Sequence, residues 1–393
     1  MVAADVTGLA ILGSTGSVGE QALDVVRALP DRFRVVALTA GGRVGRLRDQ
    51  VSEFRPLAIN ARDGRDADAL RAEIDSGQSS TAWQALEEIA TRDDVDLVLV
   101  ATSGLVALNA TIEALRAGKV VAIANKETLV VGGPVVREAL EAGRPLGAEL
   151  RPVDSEHSAI WQCLWGEAPE AIERLTLTAS GGAFRDYDLE RLERVTAGEA
   201  LEHPTWRMGP KVTIDSATLF NKGLEALEAR WLFDIPLDRI DVIQHRESIV
   251  HSMVTFSDGS VKAQMGEPDM RLPIQVALAY PDRAPVQPAL PMDLAKRGAL
   301  HFGEVDHGRF PALGVALEAG RRGGTFAAAV AGADEAAVEH FLAGRCAFTD
   351  IAYLLERALE AHESGPDPGL EALLAAEAWG RHFVDDAVAA GVR

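Results

Sequence analysis

Two acidic side chains lie two positions apart in residues 152–158, which read Pro-Val-Asp-Ser-Glu-His-Ser. If Asp154 and Glu156 follow the end of a strand, the two-residue period of a strand directs both carboxylates to the same side. Two convergent carboxylates can hold a divalent cation or share acid–base work. The structural alternative is that Asp154 or Ser155 caps the helix that opens near Ser158, and the stretch taken alone favours this cap.

A second group of polar side chains lies on one face of a helix that is predicted from residue 216 onward. The members of this group, spaced three or four apart opposite an apolar stripe, are Thr218, Asn221, Lys222 and Glu225. An ordinary amphipathic helix shows the same pattern, but a glycine at 223 is unusual in a plain surface helix. A hydroxyl, an amide and an ammonium near a helix start suit a phosphate, and Glu225 would add a third metal carboxylate.

Two loops between these stretches have compositions that suit ligand contact. Residues 180–182, Ser-Gly-Gly, form a small-residue turn that can offer N–H groups and a hydroxyl to an oxyanion. Residues 203–210 contain Trp206, Met208, Gly209 and two prolines. This composition suits either a lid that closes on a ligand or a surface loop with a buried tryptophan anchor.

The first element that must position these groups is a strand predicted at 9–12. The sequence Gly-Ser-Thr-Gly-Ser-Val-Gly follows at once at 13–19, and a helical pattern follows at 21–29. Glycines let the backbone approach a pyrophosphate, and the N–H groups at the helix start receive it. The pattern is G-x-x-G-x-x-G, and a plain tight turn is the alternative, but the flanking strand and helix favour a dinucleotide-binding loop.

The end of the second predicted strand, 34–40, bears on the choice of cofactor. An NAD site usually places an Asp or Glu here for the ribose hydroxyl. The chain has Gly41 and Gly42 instead, and Arg43 and Arg46 follow, which suits a 2′-phosphate. The sequence therefore predicts NADP(H).

Further strands are predicted at 57–60, 96–101, 120–124 and 147–153, with helical stretches between them. This alternation predicts a parallel, doubly wound sheet, in which ligands bind at the carboxyl ends of the strands. The glycine loop, residues 125–127 and residues 154–156 then share one edge. This common edge favours a chemical role for Asp154 over capping alone.

The remaining chain predicts a second sheet and a helical region, so the fold class is α/β with a Rossmann-like N-terminal domain, a central α+β domain and a C-terminal helical bundle. The second sheet has strands at 241–244, 248–256 and 260–265, and its open edge can pair across a dimer. Helical patterns lie at 312–322, 325–343, 349–362 and 369–389. The predicted domains are 1–150 for NADPH binding, 151–280 for catalysis, 281–309 as a linker and 310–393 as the helical domain.

Composition excludes several classes of function. The formal net charge of −20 would repel a nucleic acid partner. Two cysteines are too few for a disulfide framework and fit a reducing cytoplasm. The sequence begins without a basic region followed by an apolar run, and its longest apolar stretch, around 95–108, is too short to cross a membrane, so neither a signal peptide nor a membrane segment is expected.

Taken together, the motifs resemble the 1-deoxy-D-xylulose 5-phosphate reductoisomerase family over nearly the full length. The motifs that carry this resemblance are the glycine loop at 13–19, Ala-Asn-Lys-Glu at 124–127, Pro-Val-Asp-Ser-Glu-His at 152–157, Ser-Gly-Gly at 180–182, Asp-Ser-Ala-Thr at 215–218, Asn-Lys-Gly-Leu-Glu at 221–225 and Gly-Glu-Pro-Asp-Met-Arg at 266–271. The resemblance implies a homodimeric NADPH-dependent enzyme of non-mevalonate isoprenoid synthesis. Its substrate would be a small phosphorylated sugar, 1-deoxy-D-xylulose 5-phosphate, rearranged and then reduced to 2-C-methyl-D-erythritol 4-phosphate.

The resemblance also implies a role for each matching residue. The ligands of Mg²⁺ or Mn²⁺ would be Asp154, Glu156 and Glu225. The residues around the substrate would be Lys126 and Ser155 at its carbon backbone, Trp206 in a closing flap near 199–210, and Ser180, His203, Ser216, Asn221 and Lys222 at its phosphate. The cofactor residues would be Thr15, Gly16, Ser17, Val18, Gly41, Gly42, Arg43, Asn125, Glu127 and Gly209.

Three stretches depart from the family pattern. Residues 245–248 read His-Arg-Glu-Ser where the family commonly has His-Pro-Gln-Ser. Residues 332–335 read Gly-Ala-Asp-Glu where Ala-Ala-Asn-Glu is frequent. Gly42 and Arg43 stand where a Lys-Asn or Arg-Asn pair is usual.

Two other functions are compatible with the residues alone. A different NADPH-dependent dehydrogenase, such as one that acts on a semialdehyde, would need a nucleophilic cysteine or a lysine base and no metal site of three carboxylates. A regulatory protein that senses NADPH would bind the cofactor without turnover. That protein would not need Asp154, Glu156 and Glu225 together.

Overall fold

The structure of the protein is a computed structural model that describes residues 6–62, 64–78, 80–206, 208–284, 291–365 and 368–391. Residues 285–290 of the predicted linker and Arg207 of the predicted lid lie outside this description. The chain divides into two compact units. One is built from Met1–Thr128, Pro134–Ser158 and Asp269–Pro291, and the other from Leu129–Gly133, Ala159–Pro268 and Met292–Arg393.

The described residues contain strands and helices that agree closely in position with most of the predicted ones. The strands are β1 (Thr7–Leu12), β2 (Phe33–Ala40), β3 (Ala58–Ala61), β4 (Ala82–Trp83), β5 (Leu97–Val100), β6 (Val120–Ile123), β7 (Glu149–Pro152), β8 (Ile172–Ala179), β9 (Ile240–His245), β10 (Val250–Phe256), β11 (Val261–Met265) and β12 (Phe302–Gly303). The helices are α1 (Ser17–Ala28), α2 (Val44–Phe54), α3 (Arg65–Glu73), α4 (Leu86–Ala90), α5 (Leu108–Arg116), α6 (Lys126–Gly143), α7 (Ser155–Leu164), α8 (Leu189–Leu192), α9 (Ala197–Ala200), α10 (Pro210–Thr218), α11 (Phe220–Phe233), α12 (Arg271–Ala279), α13 (Leu294–Arg297), α14 (Ala312–Arg322), α15 (Phe326–Leu342), α16 (Phe348–Ala361) and α17 (Leu370–Ala389).

The first unit contains a seven-stranded sheet in the order β4-β3-β2-β1-β5-β6-β7, and all of its strands are parallel. Strand β5 reads Leu-Val-Leu-Val and is buried throughout, as expected for a parallel strand that is covered on both faces. The predicted doubly wound sheet is therefore confirmed. The short edge strand β4 was missed, because two residues are too few to show a periodic pattern.

Helix α12 belongs to this first unit. Its Ile274 and Leu278 lie in the same apolar core as Leu9 of β1. The Nη1 atom of Arg151 donates a hydrogen bond of 3.1 Å to the carbonyl oxygen of Ala277. The sequence predicts this helix within a domain covering 151–280, whereas in the structure the chain returns to its first unit at Asp269. The predicted division into four domains stays a prediction.

The second unit contains a five-stranded sheet in the order β11-β10-β8-β9-β12. Strands β8 and β9 pair in parallel, and the other pairs are antiparallel. The predicted hairpin joins β10 to β11, where Gly259 has a φ of 84° and the Phe256 N–H donates a hydrogen bond of 2.9 Å to the Ser260 carbonyl. Glycine suits this turn because it adopts positive φ without steric cost.

The predicted helix from residue 216 onward is wrong in one respect, because the structure divides it into α10 and α11. Leu219 lies between them with a φ of 62°. The hydroxyl of Thr218 accepts a hydrogen bond of 3.2 Å from the N–H of Phe220, which caps the new helix start. Gly223 has a packing reason, since a Cβ at this position would lie 2.4 Å from the Cβ of Ala316 in α14.

The C-terminal helices α14 to α17 pack in the second unit, and α15 and α17 approach each other with their backbones almost in contact. A Cβ at Gly332 would lie 1.9 Å from the carbonyl oxygen of Glu377, and one at Gly380 would lie 1.9 Å from that of Ala329. Only glycine fits these two crossing points. None of the described helices combines the length and hydropathy that a membrane span requires.

The surroundings of Gly380 and Gly314 predict opposite effects on stability when each glycine is replaced by alanine. We expect Gly380→Ala to destabilise the protein by about 1–3 kcal/mol, because the added methyl must push two helices apart. The matched control is Gly314→Ala in α14, where a Cβ would meet open space, and its gain in helix propensity should stabilise by up to about 1 kcal/mol. Urea denaturation measures both, and equal stabilities for Gly380→Ala and the unsubstituted protein would refute the packing argument.

Candidate functional site

The glycine loop after β1 forms a backbone cradle. Gly13 has a φ of 94°, and a Cβ there would lie 2.5 Å from the carbonyl oxygen of Ala101. A Cβ at Gly19 would lie 2.4 Å from the carbonyl oxygen of Gly13, so the loop folds tightly onto the first turn of α1. Gly16 occupies the N-cap position of α1, which leaves the first N–H groups of the helix available for an anion. Residues 15–18 therefore suit a dinucleotide pyrophosphate.

A buried hydrogen-bond network supports this loop from below. The hydroxyl of Ser14 lies 2.7 Å from Gln50 Oε1 and 3.0 Å from the Thr39 carbonyl oxygen, and these two acceptors share its single proton. Gln50 returns a hydrogen bond of 3.0 Å to the Ser14 carbonyl. The loop is thus fixed to β2 and α2 before any ligand binds.

At the end of β2, the two arginines that suit a 2′-phosphate by sequence have different environments in the structure. Arg46 makes two hydrogen bonds, of 2.7 and 2.8 Å, to the carboxylate of Glu20. This hydrogen bonding to Arg46 holds the pKa of Glu20 below its ordinary value. Arg46 is therefore committed to an ion pair, whereas Arg43 is exposed at the start of α2.

Asn125 holds the adjacent strand ends together. Its Nδ2 atom donates hydrogen bonds of 2.7 Å to the carbonyl oxygens of Thr102 and Gly104, and its Oδ1 accepts one of 2.7 Å from the N–H of Thr128. The side chain thus caps α6 and fixes the loop at 102–104 after β5. Sequence reasoning missed this loop as part of the site, although its position after a strand next to β1 was a usable signal.

Asp154 and Glu156 lie at the junction between the end of β7 and the start of α7. Asp154 immediately precedes the helix, and its Oδ1 accepts a hydrogen bond of 2.9 Å from the Ser155 N–H. The Nζ atom of Lys126 forms an ion pair with Asp154 Oδ2. The Ser155 hydroxyl donates to Glu156 Oε2 at 2.7 Å. The hydrogen bond from the Ser155 N–H and the charged cluster therefore coexist, and this local bond does not exclude a chemical role for the acids.

In the second unit, a histidine lies between two serine hydroxyls. The Nε2 atom of His203 is 3.1 Å from Ser180 Oγ and 3.1 Å from Ser216 Oγ. Its Nδ1 accepts hydrogen bonds from the N–H groups of Thr205 and Trp206 at 3.1 and 2.9 Å. This pattern assigns the single proton of a neutral imidazole to Nε2, which faces the two hydroxyls.

The turn at 180–182 adopts the conformation that this cluster needs. Gly181 and Gly182 have φ values of 86° and 67°, and a Cβ at Gly182 would lie 2.4 Å from the Ser216 carbonyl oxygen. The Gly182 N–H donates to Ser180 Oγ at 3.3 Å. The two glycines therefore place the Ser180 hydroxyl beside α10, as the small-residue turn in the sequence suggested.

Asn221, Lys222 and Glu225 interact directly on α11. The Nζ atom of Lys222 lies 2.6 Å from Glu225 Oε2, and Asn221 Nδ2 donates to Glu225 Oε1 at 2.5 Å. Both charged side chains are buried, with 7% and 1% of their surfaces exposed. Burial of this kind is costly unless the charges are paired, so the cluster is a built feature rather than a solvated face.

The remaining predicted residues lie at element ends. Glu127 is half-buried in the first turn of α6, and Gly209 is the N-cap residue of α10. Trp206 is half-buried, and its ring centroid lies 6.2 Å from that of His251 on β10. Closure of a flap at 199–210 stays a prediction. Gly41 and Gly42 are exposed at the end of β2.

The fold and these sites define a dinucleotide-binding α/β protein with a second unit that carries buried, paired charges and a neutral histidine between hydroxyls. Family models match most of the chain: 1-deoxy-D-xylulose 5-phosphate reductoisomerase at 9–133, its C-terminal domain at 150–233, and the DXP reductoisomerase C-terminal domain at 265–383. The chain belongs to the 1-deoxy-D-xylulose 5-phosphate reductoisomerase family.

Relatives and solved structures agree over the full length. The reductoisomerase of Thermomicrobium roseum is 48% identical over 389 residues, which cover 98% of this chain and 99% of the relative. That of Geobacillus kaustophilus is 48% identical over 96% of this chain and 98% of the relative. A crystal structure of DOX-P reductoisomerase with NADPH, fosmidomycin and magnesium has a TM-score of 0.90 at 36% identity, covering 98% of each chain. The Zymomonas mobilis enzyme with NADPH has a TM-score of 0.89 at 37% identity, covering 98% of this chain and 99% of that one.

The environment of His203 predicts a specific pH dependence. Burial lowers the pKa of the His203 imidazole to about 4, and the positive charges of Arg185 and Lys222 act in the same direction. Between pH of about 6.5 and 4, the unfolded chain takes up a proton that the folded chain refuses, so the folded state loses stability as the pH falls. This contribution amounts to at most about 3 kcal/mol.

We therefore expect the free energy of unfolding to fall less steeply over this pH range in His203→Gln than in the unsubstituted protein. Urea denaturation at a series of pH values measures the slope. The control is His307→Gln, which removes an exposed histidine and should leave the slope unchanged. Identical slopes for His203→Gln and the unsubstituted protein would show that His203 takes up its proton at an ordinary pH.

Proposed function

We propose that this protein is an NADPH- and divalent-metal-dependent enzyme that converts 1-deoxy-D-xylulose 5-phosphate to 2-C-methyl-D-erythritol 4-phosphate, in non-mevalonate isoprenoid synthesis. The observation that carries the proposal is the 48% identity with a named reductoisomerase over 98% of the chain. Structures of relatives with NADPH, fosmidomycin and magnesium support the cofactor, the cation and a small phosphorylated substrate.

NADPH fits the cradle at the carboxyl edge of the first sheet. The positive φ of Gly13 and the tight approach of Gly19 show that a side chain at either position would collide with backbone atoms and displace the loop. The N–H groups at the start of α1 would bind the pyrophosphate, and the loop fixed by Asn125 would line the neighbouring strand end. When bound, NADPH supplies the hydride for the reduction.

We propose Asp154, Glu156 and Glu225 as the ligands of the divalent cation, Mg²⁺ or Mn²⁺, because carboxylate oxygens are the ligands these hard cations prefer. When bound, the cation polarises the substrate carbonyl. Lys126 and Lys222 already neutralise Asp154 and Glu225, respectively. We infer that Lys126 with Ser155 would contact the carbon backbone of the substrate and that Lys222 would contact its phosphate.

The phosphate of the substrate would bind at the cluster on the second unit, and its polar members are Ser180, His203, Ser216, Asn221 and Lys222. Because His203 carries its proton on Nε2, it can donate to an anion without titrating at neutral pH. The two serine hydroxyls rotate to donate as well, and Lys222 supplies the charge. Trp206 would cover the bound substrate and exclude water when the flap at 199–210 closes.

The protonation of the two cysteines in this chain disfavours the alternative function, a semialdehyde-type dehydrogenase. Burial raises the pKa of the Cys163 thiol to about 11 and that of Cys346 to about 11. Neither thiol is ionised at neutral pH, so neither is an activated nucleophile. A regulatory role without turnover has no particular observation in its favour.

We also propose that the protein is a cytoplasmic homodimer. Strand β11 lies at one edge of the second sheet, and Val261 at its start is 56% exposed. An edge strand of this kind offers unpaired N–H and C=O groups to a second copy. Both cysteines are free thiols, which suits a reducing compartment.

The activity is tested by following NADPH absorbance with 1-deoxy-D-xylulose 5-phosphate, with and without Mn²⁺. We expect oxidation of NADPH that requires both the substrate and the metal, and mass spectrometry should find 2-C-methyl-D-erythritol 4-phosphate. Omission of substrate is the control for spontaneous oxidation. Absence of metal-dependent oxidation would refute the proposed function.

The metal ligands are tested with Glu225→Gln, which keeps the shape of the side chain and removes its charge. We expect turnover to fall roughly 100-fold or more, since even residues behind a metal ligand contribute 10- to 100-fold. NADPH affinity, measured by fluorescence, should stay within about twofold, because the cofactor residues are not altered. Glu193→Gln is the matched control at an exposed carboxylate. Normal turnover and normal Mn²⁺ affinity in Glu225→Gln would remove Glu225 from the metal site.

A further inference from the structure

The end of β2 faces a residue that follows the neighbouring strand β3. The parallel register pairs Ala40 with Ala61, the last residues of the two strands. The N–H of Arg62 extends this ladder by donating a hydrogen bond of 3.0 Å to the Ala40 carbonyl. Arg62 is therefore held by its backbone beside the Gly41-Gly42 turn.

The side chain of Arg62 also reaches this turn. A Cβ placed on Gly42 would lie 3.8 Å from the Nη2 atom of Arg62, whereas a Cβ on Gly41 would meet no atom within 4 Å. Arg62 itself is exposed. The end of β2 is thus an unobstructed surface beside the guanidinium of Arg62. Glycine at positions 41 and 42 leaves space there for a ligand.

The charges at this strand end select for an anion. In dinucleotide sites, the tip of the second strand holds a carboxylate for a ribose 2′-hydroxyl or an arginine for a 2′-phosphate. Here the tip carries no carboxylate, and Arg46 is occupied by Glu20. Among the described residues, neither Arg43 nor Arg62 is paired with a carboxylate.

We propose that Arg62 binds the 2′-phosphate of NADPH and is the residue that makes the protein discriminate against NADH, with Arg43, which follows the turn directly, as a second cation. The proposal rests on the proposed function only in that the ligand is NADPH. A guanidinium matches a phosphate with two parallel hydrogen bonds, which gives both affinity and orientation. The cation that the family usually carries within the second-strand tip is thus supplied here partly from the neighbouring strand.

The test uses Arg62→Gln in the full-length protein and calorimetric binding of two adenosine ligands that differ at one group. Affinity for adenosine 2′,5′-bisphosphate should fall about 10- to 100-fold, the equivalent of one lost charged hydrogen-bond pair. Affinity for adenosine 5′-monophosphate, which lacks the 2′-phosphate, should stay within about twofold. In steady-state assays, the KM for NADPH should rise similarly while the KM for NADH is unchanged.

Two further variants make the outcome decisive. Arg65→Gln removes an exposed arginine three residues away and should leave both affinities unchanged, and Arg62→Lys should recover part of the loss. Equal weakening of both adenosine ligands by Arg62→Gln, equal effects of Arg62→Gln and Arg65→Gln, or no effect of Arg62→Gln would each overturn the proposal. Failure of the unsubstituted protein to bind NADPH would instead contradict the proposed function itself.

Discussion

The parallel direction of the strands in the first sheet is the constraint on which the cofactor side of the molecule depends. Because β1, β2, β6 and β7 run the same way, the loops that follow them emerge at a single edge. Reversal of any one of these strands would send its loop to the opposite edge. The glycine cradle, the Gly41-Gly42 turn, Asn125 and Asp154 therefore lie along one edge of the sheet by topology, before any side-chain contact is considered.

Buried ion pairs impose a comparable constraint on the second unit. The Nζ atom of Lys211 in α10 lies 2.5 Å from Asp215 Oδ2 and 2.5 Å from Asp334 Oδ2. Asp334 belongs to α15 and is fully buried, so a C-terminal helix supplies an ion-pair partner to Lys211 of the helix that carries Ser216. Removing one partner of such a group leaves an uncompensated buried charge, which costs several kcal/mol. The C-terminal helix α15 thus helps to hold α10 in place, and with it Ser216 of the proposed phosphate site.

Sequence patterns predicted the parallel first sheet, the glycine loop and most helix positions. They did so because periodicity and glycine placement report on backbone geometry directly. They failed where the outcome depended on which distant atoms meet. The break at Leu219 depends on a local cap by Thr218, and Gly223 is explained by α14 rather than by a ligand. Likewise, charge alone named Arg46 for the cofactor phosphate, and only the structure shows that Glu20 holds it. The local sequence pattern specifies where helices and strands form, whereas the contacts that each side chain makes follow from the packing of the whole fold.

The departures from the family pattern at Glu247, Gly332 and Gly42 share a physical logic, since each of these residues lies against a specific neighbour in this chain. Burial would raise the pKa of Glu247, but hydrogen bonds from the His301 side chain and backbone outweigh it and hold the pKa at about 2, so this acid is fully ionised in its pair. Gly332 admits the backbone of α17. Gly42 lies beside the guanidinium of Arg62. A substitution of this kind changes which element supplies a charge or a contact, while the hydroxyls, carboxylates and glycines assigned to the reaction are retained.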